Sequence, residues 1–274
     1  MALFVNIKKP IKLASTALAI SLAFVAPAQA YFPLITDDTG TQGSGGNQIE
    51  IDYLFNKSHN AVFDDAGRYV KDTQDISNAF PLSYTYGVSE NVDIFLGMSR
   101  QTSPISGWQS SAVGLKWVFA GDQIKGWSAA IKPTLTLPVS KTMQDNGLGP
   151  AQTNVSVTLI SSYLADNHEW HFNVGYGSNR LTETDNTESE RTNLWTASLA
   201  PVLVLDPQWK LAFDLGIQTN PAYNSRYSAF GEIALVYEPV DNVQLGLGLI
   251  YAPDLNANDN AYNYGVTTGV TYQF

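Results

Sequence analysis

The last thirteen residues of the chain alternate between apolar and polar side chains. Apolar residues occupy one face, and small or polar residues occupy the other. The apolar face carries Tyr262, Tyr264, Val266, Val270, Tyr272 and Phe274; the other carries Asn263, Gly265, Thr267, Gly269, Thr271 and Gln273. A strict period of two is typical of a β-strand with one face in an apolar environment. The pattern therefore predicts a strand that runs to Phe274.

The same alternation recurs in eleven earlier segments, namely residues 49–55, 80–86, 92–98, 113–119, 127–137, 155–163, 170–176, 195–203, 209–217, 227–237 and 243–251. The total of about twelve strands is even, as antiparallel closure requires. Their polar faces consist mainly of Gly, Ser, Thr, Asn and Ala, which suit a crowded, hydrated interior better than a soluble surface. We therefore predict an all-β fold, a closed antiparallel transmembrane β-barrel. A soluble sandwich or lipocalin-like barrel, with its apolar face inward, is the alternative.

The connections alternate between short and long. Short ones lie near residues 89–90, 120–126, 165–169, 206–207 and 239–242; longer ones lie at 57–75, 138–152, 178–192, 218–226 and 252–260, and 100–108 is intermediate. Short periplasmic turns and long outer loops are typical of outer-membrane barrels, and aromatic residues at both strand ends predict two girdles. Pro81, Pro133 and Pro201 cannot donate to a ladder, so we expect bulges there or strands that start later.

The first thirty residues have the form of a secretory signal peptide. Lys8, Lys9 and Lys12 precede the apolar residues 13–25, and Ala28-Gln29-Ala30 is an A-x-A cleavage pattern. This predicts that residues 1–30 are removed and that the mature chain starts at Tyr31. Residues 31–47 would then form a periplasmic N-terminal segment, and residues 48–274 the outer-membrane barrel.

Composition excludes several classes of protein. The net charge of −10 becomes −13 once the three signal lysines are removed, so nucleic acid is not an expected partner. The chain has no cysteine, which excludes disulfides and thiolate metal sites, and we predict no cofactor. After the signal, no apolar run is long enough for a spanning helix.

Alternation places nine charged or titratable residues on the interior face: Glu50, Asp52, Asp93, Lys116, Lys132, His171, Lys210, Asp214 and Glu232. Such groups line a pore and set its selectivity, or pair across it as struts. Twelve strands predict a narrow, partly occluded pore. Strut pairing is the favoured role for most of these residues. Lys210, Asp214 and Glu232 are expected to form the best local network because they lie on adjacent strands at similar depth.

An enzyme is the main rival to a channel, and the chain lacks a recognisable catalytic set. His59 is predicted in an outer loop, His168 in a turn and His171 near the periplasmic end. None can be tied by sequence to a serine and an orienting acid. A calcium site in the acidic outer loop lacks EF-hand spacing, so no metal site is predicted; its acids are Asp64, Asp65, Asp72 and Asp75. We predict that the chain is not an enzyme.

The glycine-rich tract before the first strand resembles a known family. Residues 33–43, PLITDDTGTQG, followed by GGNQIE at 45–50, resemble the start of the "MetA-pathway of phenol degradation" family of outer-membrane transporters. The motif residues are Pro33, Thr36, Asp37, Asp38, Thr39, Gly40, Gln42 and Gly43. The resemblance implies a channel or uptake role, with aromatic compounds as a solute class. The residues of the tract are equally compatible with a partial plug of the periplasmic mouth and with a flexible tether.

These observations predict an outer-membrane channel of a Gram-negative bacterium that passes small hydrophobic or aromatic molecules inward. Tyr272 and Phe274 resemble the terminal aromatic signal for barrel assembly, so outer-membrane lipids and the assembly machinery are expected partners besides a small solute. The alternatives are a structural or adhesive barrel that binds an external partner through its long loops, and an outer-membrane lipid hydrolase. The oligomeric state is left open.

Overall fold

A computed structural model describes residues 32–63, 69–180, 190–221, 223, 226–255 and 262–274, without the side chains of 60–63 and 69–72. The predicted signal peptide and the mature start at Tyr31 lie outside these residues. The described residues form thirteen strands and one helix, in this order: β1 (Asn47–Phe63), β2 (Tyr69–Ser89), β3 (Val92–Ser103), β4 (Gly107–Trp108), β5 (Ala112–Gly121), β6 (Gly126–Thr136), α1 (Lys141–Asp145), β7 (Asn154–Leu164), β8 (His168–Ser178), β9 (Asn193–Val204), β10 (Trp209–Thr219), β11 (Tyr227–Val240), β12 (Val243–Pro253) and β13 (Tyr262–Gln273).

Twelve of these strands close into one antiparallel barrel. Each pairs with its neighbours in chain order, and β1 pairs with β13, which joins the two ends of the sheet. The very short β4 adds two residue pairs to β3 beyond the ring. The prediction of a closed twelve-stranded antiparallel barrel is confirmed, with β4 as an addition.

The two rims of the barrel differ. At the short-turn end, where the turns at 90–91, 122–125, 165–167, 205–208 and 241–242 lie, Asn47 and Phe274 exchange backbone hydrogen bonds of 3.0 and 2.9 Å. The opposite ends of the strands, and α1 in the connection between β6 and β7, lie at the long-loop end. Among the described residues no helix is long and apolar enough to cross a membrane.

The wall of the barrel is apolar outside. In β12, Leu245, Leu247 and Leu249 are 42%, 49% and 59% exposed, while Gly248 and Ile250 between and after them are buried. A soluble barrel would bury such leucines, so this arrangement favours a lipid-facing surface. Aromatic pairs lie at both ends of the wall: Trp209–Tyr237 at the short-turn end and Tyr176–Trp195 at the long-loop end.

The predicted loop over residues 57–75 is wrong over most of its length. The β1–β2 ladder continues through Lys57↔Ile76 and His59↔Gln74 as far as residues 62 and 71, so His59 lies in a strand and not in a loop. Alternation of apolar and polar residues marks only the part of a strand that has one face in an apolar environment. Backbone pairing needs none, so a strand can continue into water without any such signal.

The expected bulges at Pro81, Pro133 and Pro201 are also wrong. All three lie within strands, and the ladder on one side of each proline skips two residue pairs and then resumes in the same register. A missing N–H removes hydrogen bonds without requiring an extra residue. The barrel therefore has three local gaps in its ladders and no shift of register at these positions.

Candidate functional site

The N-terminal segment, residues 32–46, lies inside the barrel at the short-turn end. Leu34 is buried among Ala200, Val202, Ala212 and Ala234, on the inner faces of β9, β10 and β11. These side chains are small or β-branched, so they leave room for a chain inside the wall. The segment has the tucked conformation and is not a loose tether.

Two lysines of the wall are paired with acids of this segment. Lys132 bonds Asp37, and Lys116 lies 3.8 Å from Asp37 Oδ1 and 3.4 Å from Asp38 Oδ1. Lys116 and Lys132 are buried, and Phe95 presents its ring to Lys132 at 5.1 Å. The segment therefore supplies a counter-charge to each of these two buried cations.

The pKa of Asp38 follows from these neighbours. Burial alone would raise it, but the charge of Lys116 and the backbone N–H of Gly40 (2.6 Å) outweigh burial. The pKa of Asp38 consequently lies below its ordinary value, so this side chain is ionised at neutral pH.

Two acids of the wall are held by donors of the same segment. The carboxylate of Asp214 accepts the N–H groups of Ile35 (2.9 Å) and Thr36 (2.7 Å) and the hydroxyl of Thr36 (2.6 Å). The carboxylate of Asp93 accepts the N–H of Gln42 at 3.2 and 3.1 Å. The segment thus supplies acids where the wall is basic and N–H donors where it is acidic, which is electrostatic complementarity in both signs.

Neutral contacts anchor the middle of the segment. The Thr39 hydroxyl lies 2.6 Å from Ser128 Oγ, and the Thr39 N–H donates to Ser162 Oγ at 3.1 Å. Thr36 Oγ1 also lies 2.7 Å from Ser198 Oγ, within hydrogen-bond distance. Alternation puts these serines on the interior face, but no sequence signal identifies a residue 89 to 162 positions away as their partner.

A close backbone approach fixes the base of the segment. The chain turns at Gly43 and Gly45, where φ is 71° and 82°, and the N–H of Gly45 donates to Gly87 O at 2.8 Å. A Cβ on Gly87 would lie 1.6 Å from Gly43 O. Only glycine at position 87 allows the turn to rest against β2 in this way.

The structure contains a serine–histidine–acid line that the sequence did not reveal. His171 Nδ1 lies 2.9 Å from Ser162 Oγ, and His171 Nε2 lies 3.3 Å from Glu169 Oε2. The three side chains come together because Ser162 and His171 face each other across β7 and β8. Ser162 is buried and already accepts the N–H of Thr39. A nucleophile must reach its substrate, so this line serves as a structural network in the docked state.

The predicted network of Lys210, Asp214 and Glu232 is not formed. Asp214 and Glu232 lie opposite each other on β10 and β11, but Lys210 lies four residues away and pairs with Glu169 (3.3 Å) and Glu238 (3.1 Å). Two residues that are four positions apart on a strand are separated by about 13 Å. Lys210 therefore does not lie at the same depth in the barrel as Asp214 and Glu232.

The other predicted interior residues are also buried in the barrel. Glu50 accepts hydrogen bonds from Gln48 (2.8 Å) and Ser83 (2.7 Å). Among the described residues, no hydrogen-bond partner is found for Asp52 Oδ1 or for either carboxylate oxygen of Glu232. The ion pairs of Lys116 and Lys132 join the wall to the segment, whereas those of Lys210 join strands of the wall to one another.

No metal cage is present among the described residues, where no group of three or more His, Cys, Asp or Glu could hold an ion. Asp64, Asp65 and the side chain of Asp72 lie outside the described residues. The prediction that this acidic loop holds no calcium therefore stays a prediction. Tyr272 and Phe274 stack at 5.4 Å on the outer wall at the short-turn end. Their role in assembly remains a prediction.

Comparisons with known proteins add support for the fold. No protein-family model and no curated protein matches the chain. An outer-membrane channel from Pseudomonas putida F1 superimposes with a TM-score of 0.69 at 14% identity, over 86% of this chain and 98% of that one. The NanC porin does so at 0.56 and 10%, over 81% and 98%. The KdgM porin in complex with disordered oligogalacturonate gives 0.51 and 10%, over 82% and 99%. This chain shares the barrel fold of those proteins.

Proposed function

We propose that this protein is a channel of the Gram-negative outer membrane that passes small solutes inward by diffusion. The observation that carries the proposal is a lumen filled at one end by the chain's own N-terminal segment. That segment is held by ion pairs and hydrogen bonds, and not by a large apolar core. Contacts of this kind can be exchanged for water or solute, so the segment is suited to act as a plug that opens.

The wall and the fold support the membrane location. The leucines and aromatic rings of the outer surface are suited to lipid, and the proteins of similar fold named above are an outer-membrane channel and two porins. In the proposed orientation the short-turn end faces the periplasm. Outer-membrane lipids and the barrel-assembly machinery are then the expected macromolecular surroundings.

For the solute we propose small hydrophobic or aromatic molecules. This finer proposal rests on the resemblance of residues 33–50 to the phenol-degradation family. With the segment docked, a cavity of about 110 Å³ remains at the short-turn end, lined by Phe32 and by polar residues that include Gln48, Gln244 and Gln273. An aromatic solute would pass more easily once the segment has moved and more of the lumen is open.

Two measurements on the purified protein test the channel. Single-channel recording in planar bilayers should show discrete conductance steps, and proteoliposomes should swell faster in isotonic phenol than protein-free liposomes do. Arabinose serves as the polar comparison: swelling in arabinose but not in phenol supports a channel and contradicts the aromatic solute class. An adhesive barrel would give neither current nor flux, and that result would refute the channel.

A further inference from the structure

Two buried lysines of the lumen wall lie directly opposite each other. Trp117 pairs with Ile131 in the β5–β6 ladder, and the register is the same on the far side of Pro133. Lys116 therefore lies opposite Lys132 on the inner face. The Cβ atoms of such a pair are about 4.5–5.5 Å apart, and like charges in this position destabilise a sheet. An anion that contacts both ammonium groups offsets this repulsion.

The docked segment places one carboxylate against both lysines. Asp37 Oδ2 bonds the ammonium group of Lys132, and Asp37 Oδ1 lies 3.8 Å from that of Lys116. The acid of the wall that pairs with Lys116 across β3 and β5, Asp93, accepts the N–H of Gln42. Among the described residues, Asp93 forms no ion pair with Lys116. The two lysines therefore form a carboxylate site, and a side chain of the segment occupies it.

The fit of the segment to this site is incomplete. Asp37 Oδ1 is buried without a hydrogen-bond partner among the described residues. Lys116 contacts the carbonyl and the carboxylate of Asp38, but both contacts are 3.4 Å long. Charge-assisted hydrogen bonds to carboxylates are typically about 2.7–2.9 Å. The backbone of the segment fixes its carboxylates at these distances, whereas a free carboxylate can move to bond both lysines closely.

Apolar side chains border the carboxylate site along the strands. Toward the short-turn end, Val118 and Ala130 pair across β5 and β6 and form a buried cluster with Ile160. Toward the long-loop end, the ring of Phe95 lies 5.1 Å from the ammonium nitrogen of Lys132. Once the segment has left, these side chains can contact the apolar part of a ligand, and burial of apolar surface favours binding. The combination suits a carboxylate that is attached to a small aromatic group.

We propose that Lys116 and Lys132 bind the carboxylate of a small aromatic acid, which replaces Asp37 and thereby releases the segment from the lumen. The release rests on the proposed channel function, whereas the binding does not. A ligand that binds only the undocked state multiplies the undocked fraction about elevenfold at ten times its dissociation constant. Such a solute therefore opens its own path through the barrel.

Binding is measured without any current, by the fluorine NMR linewidth of para-fluorobenzoate added to the barrel in a non-ionic detergent. A small molecule that binds the slowly tumbling barrel gives a broader line. The neutral comparison is para-fluorobenzamide, which has the same ring without the negative charge. The native protein should broaden the line of the acid in a saturable way, and it should broaden the line of the amide no more than detergent alone does.

Three variants sharpen this measurement. Asp37→Asn removes the competing charge, so the apparent dissociation constant of the acid should fall at least about tenfold, because more of the protein is in the state that binds. Lys132→Gln should lose the saturable broadening. Lys125→Gln, which removes a largely exposed lysine near the short-turn rim, should keep it.

Several results would overturn the site. They are equal broadening of the acid and the amide, no saturable binding in either the native protein or Asp37→Asn, an unchanged affinity in Asp37→Asn, and full binding in Lys132→Gln. The comparison of the native protein with Asp37→Asn needs no lysine variant, so it tests the site even if Lys132→Gln does not fold.

Release of the segment is tested in planar bilayers. The acid, but not the amide, should increase the fraction of time for which the native channel is open, and Lys132→Gln should not respond. A conducting native channel whose open time is unaffected by the acid would overturn the release. Saturable binding of the acid without any current would leave the site standing and refute the channel instead.

Discussion

Replacing Asp37 with asparagine tests whether charge pairing holds the N-terminal segment in the lumen. Asp37 is buried and contacts both Lys132 and Lys116. Asparagine keeps the shape and one acceptor oxygen but removes the negative charge. Lys132 then loses its bonded counter-ion, whereas Lys116 keeps Asp38 at 3.4 Å.

The size of the effect follows from burial. Breaking a buried ion pair by removing one partner costs about 3–5 kcal/mol, because a charge is left uncompensated. The asparagine oxygen can still accept from Lys132, so we expect docking of the segment to weaken by about 2–3 kcal/mol. At about 1.4 kcal/mol per factor of ten, the undocked fraction should rise about 30- to 150-fold.

The absence of cysteine from the natural chain provides a direct assay. Thr39 is buried, so in a Thr39→Cys background a maleimide reaches the thiol only when the segment leaves the lumen. The labelling rate should rise with the undocked fraction when Asp37→Asn is added. The barrel's own unfolding temperature, measured in parallel, must stay unchanged.

Asp166→Asn is the matched control. Asp166 pairs with Lys125 at 2.7 Å, but both side chains are largely exposed, so we expect no measurable change in labelling. If Asp37→Asn labels at the same rate as the Thr39→Cys parent, the buried pairs do not hold the segment and the plug argument fails.

Three further predictions concern the same segment. Because the folded pKa of Asp38 is lowered, its contribution to docking is complete above its ordinary pKa of about 3.9 and is lost as pH falls through the lowered value. Labelling in the Thr39→Cys background, measured with a thiol reagent that reacts in acid, should therefore accelerate only at the acidic end of a titration, and a constant rate would contradict this. The native hydroxyls of Thr39 and Ser128 lie 2.6 Å apart, so a Thr39→Cys, Ser128→Cys double variant should oxidise to a disulfide that holds the segment docked. The disulfide should lower conductance until a reductant is added, whereas neither single variant should respond to the reductant. Gly87→Ala should displace the turn at Gly43 and raise labelling at least about tenfold with little loss of barrel stability, since the clash is with the segment's backbone; unchanged labelling would show that the turn is not needed for docking.

Much of the barrel could be predicted from the chain alone. Alternation in residues 243–251 and 262–274 depends only on which face meets an apolar medium, and that is a local property of the strand. The same local rule failed at residues 57–63 and 69–75, where the strands continue in polar sequence. The expectation of a bulge at Pro133, which rested on the missing N–H of proline, was also wrong, because a gap in the ladder takes its place.

The candidate site was predicted only in its parts. Alternation marked Lys116, Lys132 and Asp214 as interior residues, and the glycine-rich tract with Asp37 and Asp38 was marked as unusual. The sequence did not indicate that the tract binds these wall residues, because their contacts join positions 78 to 179 residues apart. Spacing along one strand also misassigned Lys210, whose partners come from β8 and β11.

The strands, their inward and outward faces, and the chemistry available to the lumen therefore follow from the amino-acid pattern, since each depends on a period of two along a strand. Closure of the barrel decided the rest. Bringing β13 back to β1 places the start of the described chain beside the lumen mouth, from which residues 32–46 enter. Only there do the acids of the segment meet the lysines of the wall. Charge complementarity between distant residues depends on the three-dimensional path of the chain, and local patterning does not encode it.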